Sequence, residues 1–279
     1  TLFVEPLLRG KIALRSFRIY GAEVSLHRLP DGRIDLDLGG EGLNAPLPAT
    51  MAEAMAQLTA VFATPGLADL EQIEAEDLNI RLTDFRLNRI WAVQDGSLRL
   101  RNDAKMLSAS LGFGIGDAHG TPAKAALSLT ASKTGPEARF SATVEGVNSR
   151  DLAVQSPALA LLQVIDAPIS GWLRSGVGPD GALLPVDASL ELAAGEIRPT
   201  PEVKPLPVQR GRLNLRYNAG AGQVEMTDLS IDSRAMRLRA TGQALMRDLT
   251  GGLPQTVPGQ IEIRDLQLAP EGVFEKPAR

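Results

Sequence analysis

The chain has 279 residues, 44% of them hydrophobic, 22% charged and 4% aromatic, with a formal net charge of −4 and no cysteine. These proportions exclude general disorder, a basic footprint for nucleic acid and the aromatic density that base stacking requires. The missing cysteines exclude disulfides, thiolate metal sites and a cysteine nucleophile.

No apolar run reaches the roughly 20 residues that cross a bilayer, and no basic-then-apolar signal segment is present. The chain opens at Thr1 on a strand-like stretch and reads as a piece of something longer, with any targeting or anchoring segment outside it.

Period two dominates from the start. Ile12-Ala-Leu14, Val24-Ser-Leu26 and Ile34-Asp-Leu36-Asp-Leu38 alternate apolar with other residues. Such alternation predicts strands with one buried and one wet face. Asp31-Gly32 predicts a turn between two of them.

Met51, Met55, Leu58 and Phe62 fall at helical spacing. Thr50 and Glu53 form a capping box, and Pro65-Gly66 ends the segment, so a helix is predicted here, packed over an end or edge of the sheet. Alternation resumes in Leu78-Asn-Ile80-Arg-Leu82, Leu98-Arg-Leu100, Leu111-Gly-Phe113-Gly-Ile115, Leu127-Ser-Leu129 and Phe140-Ser-Ala142-Thr-Val144. Ser156-Pro157 followed by Leu159, Leu162 and Ile165 predicts a second, shorter helix that stops before Pro168. Strands follow in Leu190-Glu-Leu192, Leu213-Asn-Leu215-Arg-Tyr217 and Met236-Arg-Leu238, with a turn at Asp180-Gly181 and an extended proline-rich stretch over 199–207.

One pattern recurs: apolar-x-apolar-x-(Asp or Ser)-apolar-x-apolar. It spans Ile12 to Ile19, Ile80 to Leu87, Val224 to Ile231 and Ile261 to Leu268, with a looser copy from Val147 to Val154. The fifth place holds Ser16, Asp84, Asp228, Asp265 or Asp151. One extra residue turns the apolar set to the opposite face, and a bulge or bend at that residue restores it. Two short strands joined by a tight link satisfy the same pattern. Either arrangement curves the sheet.

Residues with chemistry are sparse. His27 and His119 lack ligand spacing, and Asp31, Asp35 and Asp37 lack the rest of a calcium loop. Gly112, Gly114 and Gly116 precede a loop, whereas a phosphate cradle opens a helix. The glycines around Ser170 and Ser175 are misplaced for a nucleophile elbow. No enzyme, cofactor or metal is expected. A carbohydrate-binding module needs clustered rings, and the two tryptophans, Trp91 and Trp172, lie far apart.

Pro6-Leu-Leu-Arg-Gly10, Phe17-Arg-Ile19, Gly21-Ala-Glu-Val-Ser-Leu26 and Asp31-Gly-Arg-Ile-Asp-Leu36 resemble the N-terminal region of bacterial AsmA-like envelope proteins. The second half is similar to the domain of unknown function in the YhdP and TamB relatives of that group. It matches through Asp166-Ala-Pro-Ile-Ser-Gly171, Asp180-Gly181, Pro205-Leu-Pro207, Leu213 to Tyr217, Met226 to Ile231 and Thr241-Gly242.

The resemblance divides the chain into 1–150 and 151–279. It implies a periplasmic protein anchored in the inner membrane, whose sheet folds lengthwise into an apolar trough that carries phospholipid between the two membranes. The family's N-terminal membrane helix is not in this sequence.

The expected fold is all-β: a strongly curved, elongated antiparallel sheet forming an apolar trough, or two stacked trough segments, with one or two accessory helices. Candidate groove residues are Ile12, Leu14, Phe17, Ile19, Val24, Leu26, Ile80, Leu82, Phe85, Leu87, Leu213, Leu215, Val224, Met226, Leu229, Ile231, Ile261 and Ile263. Expected partners are phospholipid, adjoining repeats of the same longer chain and, through the missing helix, the membrane; nucleic acid is not among them. The alternative leaves these residues packed against one another as a closed core, in an envelope scaffold or assembly module that holds no lipid.

Overall fold

A computed structural model of the protein describes residues 14–37, 44–46, 53, 57, 60, 69–116, 123–154, 157–198, 200, 205–234, 236–250 and 253–269. It contains two compact units, Thr1–Thr134 and Gly135–Arg279. The described residues of both lie mostly in strands, so the fold is all-β.

The first unit contains β1 (Ser16–Tyr20), β2 (Glu23–Arg28), β3 (Ile34–Asp37), β4 (Asn44–Pro46), β5 (Gln72–Asp84), β6 (Arg89–Asn102), β7 (Met106–Gly116) and β8 (Ala123–Ser132). They follow the spatial order β4-β3-β2-β5-β6-β7-β8, and β1 also lies on β5. The predicted purely antiparallel sheet needs correction here, because β1 and β2 both run parallel to β5. They lie end to end along it: β1 pairs with residues 72–76 and β2 with residues 79–84. Gly21, at φ +64°, breaks the line between them. A parallel return needs a crossover of a dozen or more residues, and the long segment between β4 and β5 is ample.

The second unit contains β9 (Ala138–Asn148), a helical turn α1 (Ser149–Ala153), a 3-10 helix (Pro157–Val164), β10 (Ile165–Asp166), β11 (Pro168–Val177), β12 (Val186–Leu192) and β13 (Gly195–Ile197). It continues with β14 (Leu206–Val208), β15 (Arg210–Asn218), β16 (Gln223–Asp232), β17 (Met236–Leu245), β18 (Arg247–Thr250), β19 (Leu253–Thr256) and β20 (Gly259–Leu268). Its main sheet is antiparallel, in the order β9-β11-β12-β15-β16-β17-β20. Small sheets β10-β13-β14 and β18-β19 accompany it. Pro207 sits on the edge strand β14, where a missing N–H costs no ladder bond. The division at 150 drawn from the family resemblance falls within α1, inside this unit.

Both predicted turns form. Gly32 (φ +90°) and Gly181 (φ +79°) supply the left-handed residue, while Asp31 and Asp180 accept the backbone N–H two residues on, from Arg33 and Ala182. The predicted second helix is a 3-10 helix that ends at Val164, and Ile165 has already passed into β10. The first predicted helix falls mostly outside the described residues; Glu53, Gln57 and Ala60 are helical and exposed.

The recurring pattern resolves into several outcomes. Asp228 and Asp265 lie at register shifts: β16 has one residue more than β15 between the pairs Asn214–Asp228 and Leu215–Met226, and β20 one more than β17 between Arg239–Asp265 and Ala240–Ile263. These are the expected bulges. At Ser16 the strand simply begins, one residue after a break at Arg15. Asp84 does not bulge a longer strand but ends β5. Its Oδ1 accepts the N–H groups of Arg86 (3.0 Å) and Leu87 (3.1 Å), which turns the chain. Asp151 lies in α1, whose N-cap Asn148 accepts the N–H of Arg150 at 2.9 Å.

Among the described residues full burial is sparse, and most of it gathers in small clusters. In the first unit Leu70 and Leu107 form one, with Leu14 and Ile73 packed against it. In the second, Val147, Ala153, Ala167, Ile169 and Val208 are buried around fully buried Ser149, whose hydroxyl donates to Ile165 O at 2.6 Å. Ile261, by contrast, is 71% exposed. Leu70→Ala should therefore lower the unfolding free energy by about 2–5 kcal/mol, and Ile261→Ala by no more than about 0.5 kcal/mol, measured by urea denaturation. The reverse ranking would mean that the sheet face, not the cluster, is the core.

Candidate functional site

Residues paired across neighbouring strands share a face, so the register sorts every side chain. In the first unit one row runs Phe17, Ile73, Leu100, Ala109 and Leu129. The next is Ile19, Ala75, Leu98, Leu111 and Leu127. Further along the strands come Val24, Ile80 and Val93, then Leu36, Leu26, Leu82 and Trp91. All of these occupy one face, and all are apolar.

The continuity depends on two facing bulges that the sequence pattern did not single out. β5 gains a residue between Ala75 and Leu78, and β6 gains one between Val93 and Gly96. The left-handed residues there are Asp77 (φ +55°) and Asp95 (φ +53°). Without them Ile80 and Leu82 would lie on the wet side. Gly96 is required at this crossing, since a Cβ on it would stand 2.7 Å from Leu78 O.

The second unit repeats the arrangement. One row is Val144, Gly171, Leu190, Leu213, Leu229, Ala240 and Ile263. Its neighbours are Ala142, Leu173, Ala188, Leu215, Met226, Gly242 and Ile261 on one side, and Val147, Ile169, Leu192, Gly211, Ile231, Leu238 and Leu266 on the other. Val224 follows, paired with Tyr217 and Ala244. Gly146 (φ +66°) is the bulge residue of β9 that keeps Val144 on this face, and its N–H donates to Ser170 Oγ at 3.0 Å.

The predicted groove residues thus divide by unit. Phe17, Ile19, Val24, Leu26, Ile80 and Leu82 come together on the first apolar face, and Leu213, Leu215, Val224, Met226, Leu229, Ile231, Ile261 and Ile263 on the second. Leu14 belongs to the buried cluster, and Ile12 lies outside the described residues. Phe85 and Leu87 are corrections: the Asp84 turn takes them off the sheet, and Phe85 rests 5.7 Å from the His27 ring, centroid to centroid.

Among the described residues these faces are only partly covered. Val24, Leu26, Ile80, Leu82, Leu213, Leu215, Val224, Met226, Leu229 and Ile231 are half-buried. Phe17 and Leu127 are 47% exposed, and Ile263 57%. Beyond Leu26 and Leu82 the first face ends on an ion pair, Arg28 Nη1 to Asp84 Oδ2 at 3.3 Å, with Asp84 buried. Among the described residues no group of three or more His, Cys, Asp or Glu stands close enough to hold a metal ion.

The opposite faces bear crossed ion pairs. Glu74, on β5, accepts from Arg99 on β6 (2.8 Å) and Arg18 on β1 (2.6 and 2.9 Å). In the second unit Arg216 pairs with Asp187 at 2.7 Å and Arg212 with Glu191 at 2.9 Å. Trp172 stands on this wet face with the Arg174 guanidinium 3.9 Å over its ring, while Trp91 belongs to the first unit's apolar face. Sequence reading missed these ladders because an alternating strand shows which residues are wet, not which wet residues pair.

Comparison of the chain with protein-family models, with curated proteins and with solved structures finds no match.

Hydrogen bonds from Arg99 and then Arg18 hold the Glu74 carboxyl down at about 2, against an ordinary 4.5. A depressed carboxylate stabilises the fold above its unfolded value and loses that contribution as pH falls from 4.5 towards 2. Glu74→Gln should therefore flatten this acid limb in denaturant unfolding at stepped pH, and should lower stability near neutrality. An unchanged acid limb would show that the pair contributes nothing to it.

Proposed function

We propose that the two open aliphatic faces hold the acyl chains of phospholipid, as part of a periplasmic protein that is anchored in the bacterial inner membrane and passes lipid towards the outer membrane. One observation carries this reading: each unit keeps an aliphatic sheet face continuous through successive bulges and leaves part of it exposed, with Phe17, Leu127, Ile261 and Ile263 at 47–71%. A face meant only as a core would be closed over, because exposed apolar area costs about 25 cal/mol per Å².

The energetics suit the role. Drawing a lipid with two chains of about 16 carbons into water costs on the order of 25 kcal/mol, at about 0.8 kcal/mol per methylene. An aliphatic floor removes most of that cost. It has few fixed polar anchors, so a chain slides along it, and the headgroup stays in water. The likeness of Pro6–Gly10, Asp31–Leu36 and Asp166–Gly171 to AsmA-like proteins supports the envelope location. The ion-paired wet faces fit a sheet with solvent on its other side.

A second reading, a scaffold that docks protein partners, is favoured by β20. Among the described residues this strand pairs only with β17, and it exposes Ile261 and Ile263. Adjoining repeats of a longer chain would add strands at such an edge.

Organic extraction of the denatured protein should release phospholipid, and photoreactive residues at Leu82, Val224 or Met226 should form lipid adducts. Protein extracted lipid-free, with adducts to protein alone, would reject the lipid reading in favour of the scaffold.

A further inference from the structure

We infer that the arginine-rich end of the second unit, at the turn between β16 and β17, docks on the phosphate headgroups of an anionic bilayer surface. The inference rests on the lipid reading above and names the kind of membrane that this end of the protein meets.

Three guanidinium groups surround one carboxylate here. Arg210 Nε and Arg239 Nη2 each lie 2.7 Å from Asp232, and Arg237 Nε lies 3.7 Å away. Arg234 is exposed in the turn itself. The nearest acidic residue along the ladder is Asp265, which faces Arg239 across β17 and β20. Among the described residues at these strand ends, four positive charges against two negative ones leave an excess of two, in a chain whose formal net charge is −4.

Arg239 is held internally, Nη2 on Asp232 and Nη1 on the carbonyl oxygens of Ile231 and Leu238, but Arg210, Arg237 and Arg234 face outward. Arg210 uses its Nε on Asp232 and keeps its side chain 78% exposed. Each guanidinium has five N–H donors in a fork that matches phosphate oxygens, and the single contacts of Arg210 and Arg237 with Asp232 leave most of those donors outward. Arg210 and then Arg239 hold Asp232 below its ordinary carboxylate range, so it stays ionised and keeps the arginines ordered.

The apolar side of the same strand ends selects the ligand. Met236 pairs with Leu268 and Leu238 with Leu266, and both leucines of β20 are nearly half exposed. A free anion would engage the arginines and leave these leucines in water. A bilayer surface satisfies both, with phosphates against the guanidinium groups and interfacial carbon against Leu266 and Leu268.

The test is vesicle co-sedimentation with the whole chain. In about 0.1 M salt the protein should bind vesicles containing phosphatidylglycerol and not vesicles of phosphatidylcholine alone, and about 0.5 M salt should release it. Arg234→Gln alters only an exposed turn and should weaken binding about fivefold; adding Arg210→Gln should bring the loss to at least about tenfold. Equal binding to both vesicle types, variants that bind like the parent, or displacement by millimolar inorganic phosphate would each overturn the inference. Extractable lipid without vesicle binding would overturn this docking surface and leave the acyl-chain reading standing. Vesicle binding without extractable lipid would do the reverse.

Discussion

The structure depends on facing. Side chains alternate along a strand, so a single extra residue sends every later apolar group into water. Extra residues also bend the strand that carries them, and β6, β16 and β20, of 10 to 14 residues, each carry one. The chain reconciles the two by matching bulges across strands. Asp77 on β5 is answered by Asp95 on β6, and Thr227-Asp228 on β16 has its counterpart at Arg264-Asp265 on β20. Each strand bends while its aliphatic residues stay on one side.

The division of labour between the faces follows. On the wet side, Arg18–Glu74–Arg99 and Arg216–Asp187 tie neighbouring strands by charge. An exposed pair such as Arg216–Asp187 contributes little, about 0–1 kcal/mol, and acts mainly as a register marker, whereas the buried Glu74 carboxylate depends on its two arginines. On the apolar side, cohesion comes from partly buried Leu, Ile and Val, together with compact clusters around Leu70 and Ser149. A face left partly open gives up stability that a closed core would have, and ligand burial would restore it by mass action.

Much of this was legible in the sequence. Strand positions, both Asp-Gly turns and the bulges at Asp228 and Asp265 follow from alternation and from where it breaks. The Asp77 and Asp95 bulges were not legible, because Asp in a left-handed conformation looks in sequence like any polar residue of a wet face, and Gly146 sits in a strand with nothing in the pattern to mark it. The parallel placement of β1 and β2 on β5 was hidden for a different reason: alternation reports which side chains share a face and says nothing of strand direction. Phe85 and Leu87 were misplaced because an aspartate that caps a turn and one that marks a bulge occupy the same place in the pattern. Asp84 does the first and Asp228 the second.

The central claim is that one face of each sheet is both aliphatic and open to a lipid. The absence of cysteine allows single-cysteine labelling. An environment-sensitive fluorophore placed in turn at Leu82, Leu215, Arg81 and Arg216 samples both faces of both units. On adding phospholipid, the probes at Leu82 and Leu215 should shift to the blue while those at Arg81 and Arg216 stay unchanged. Equal shifts on the two faces, or none on either, would contradict the account.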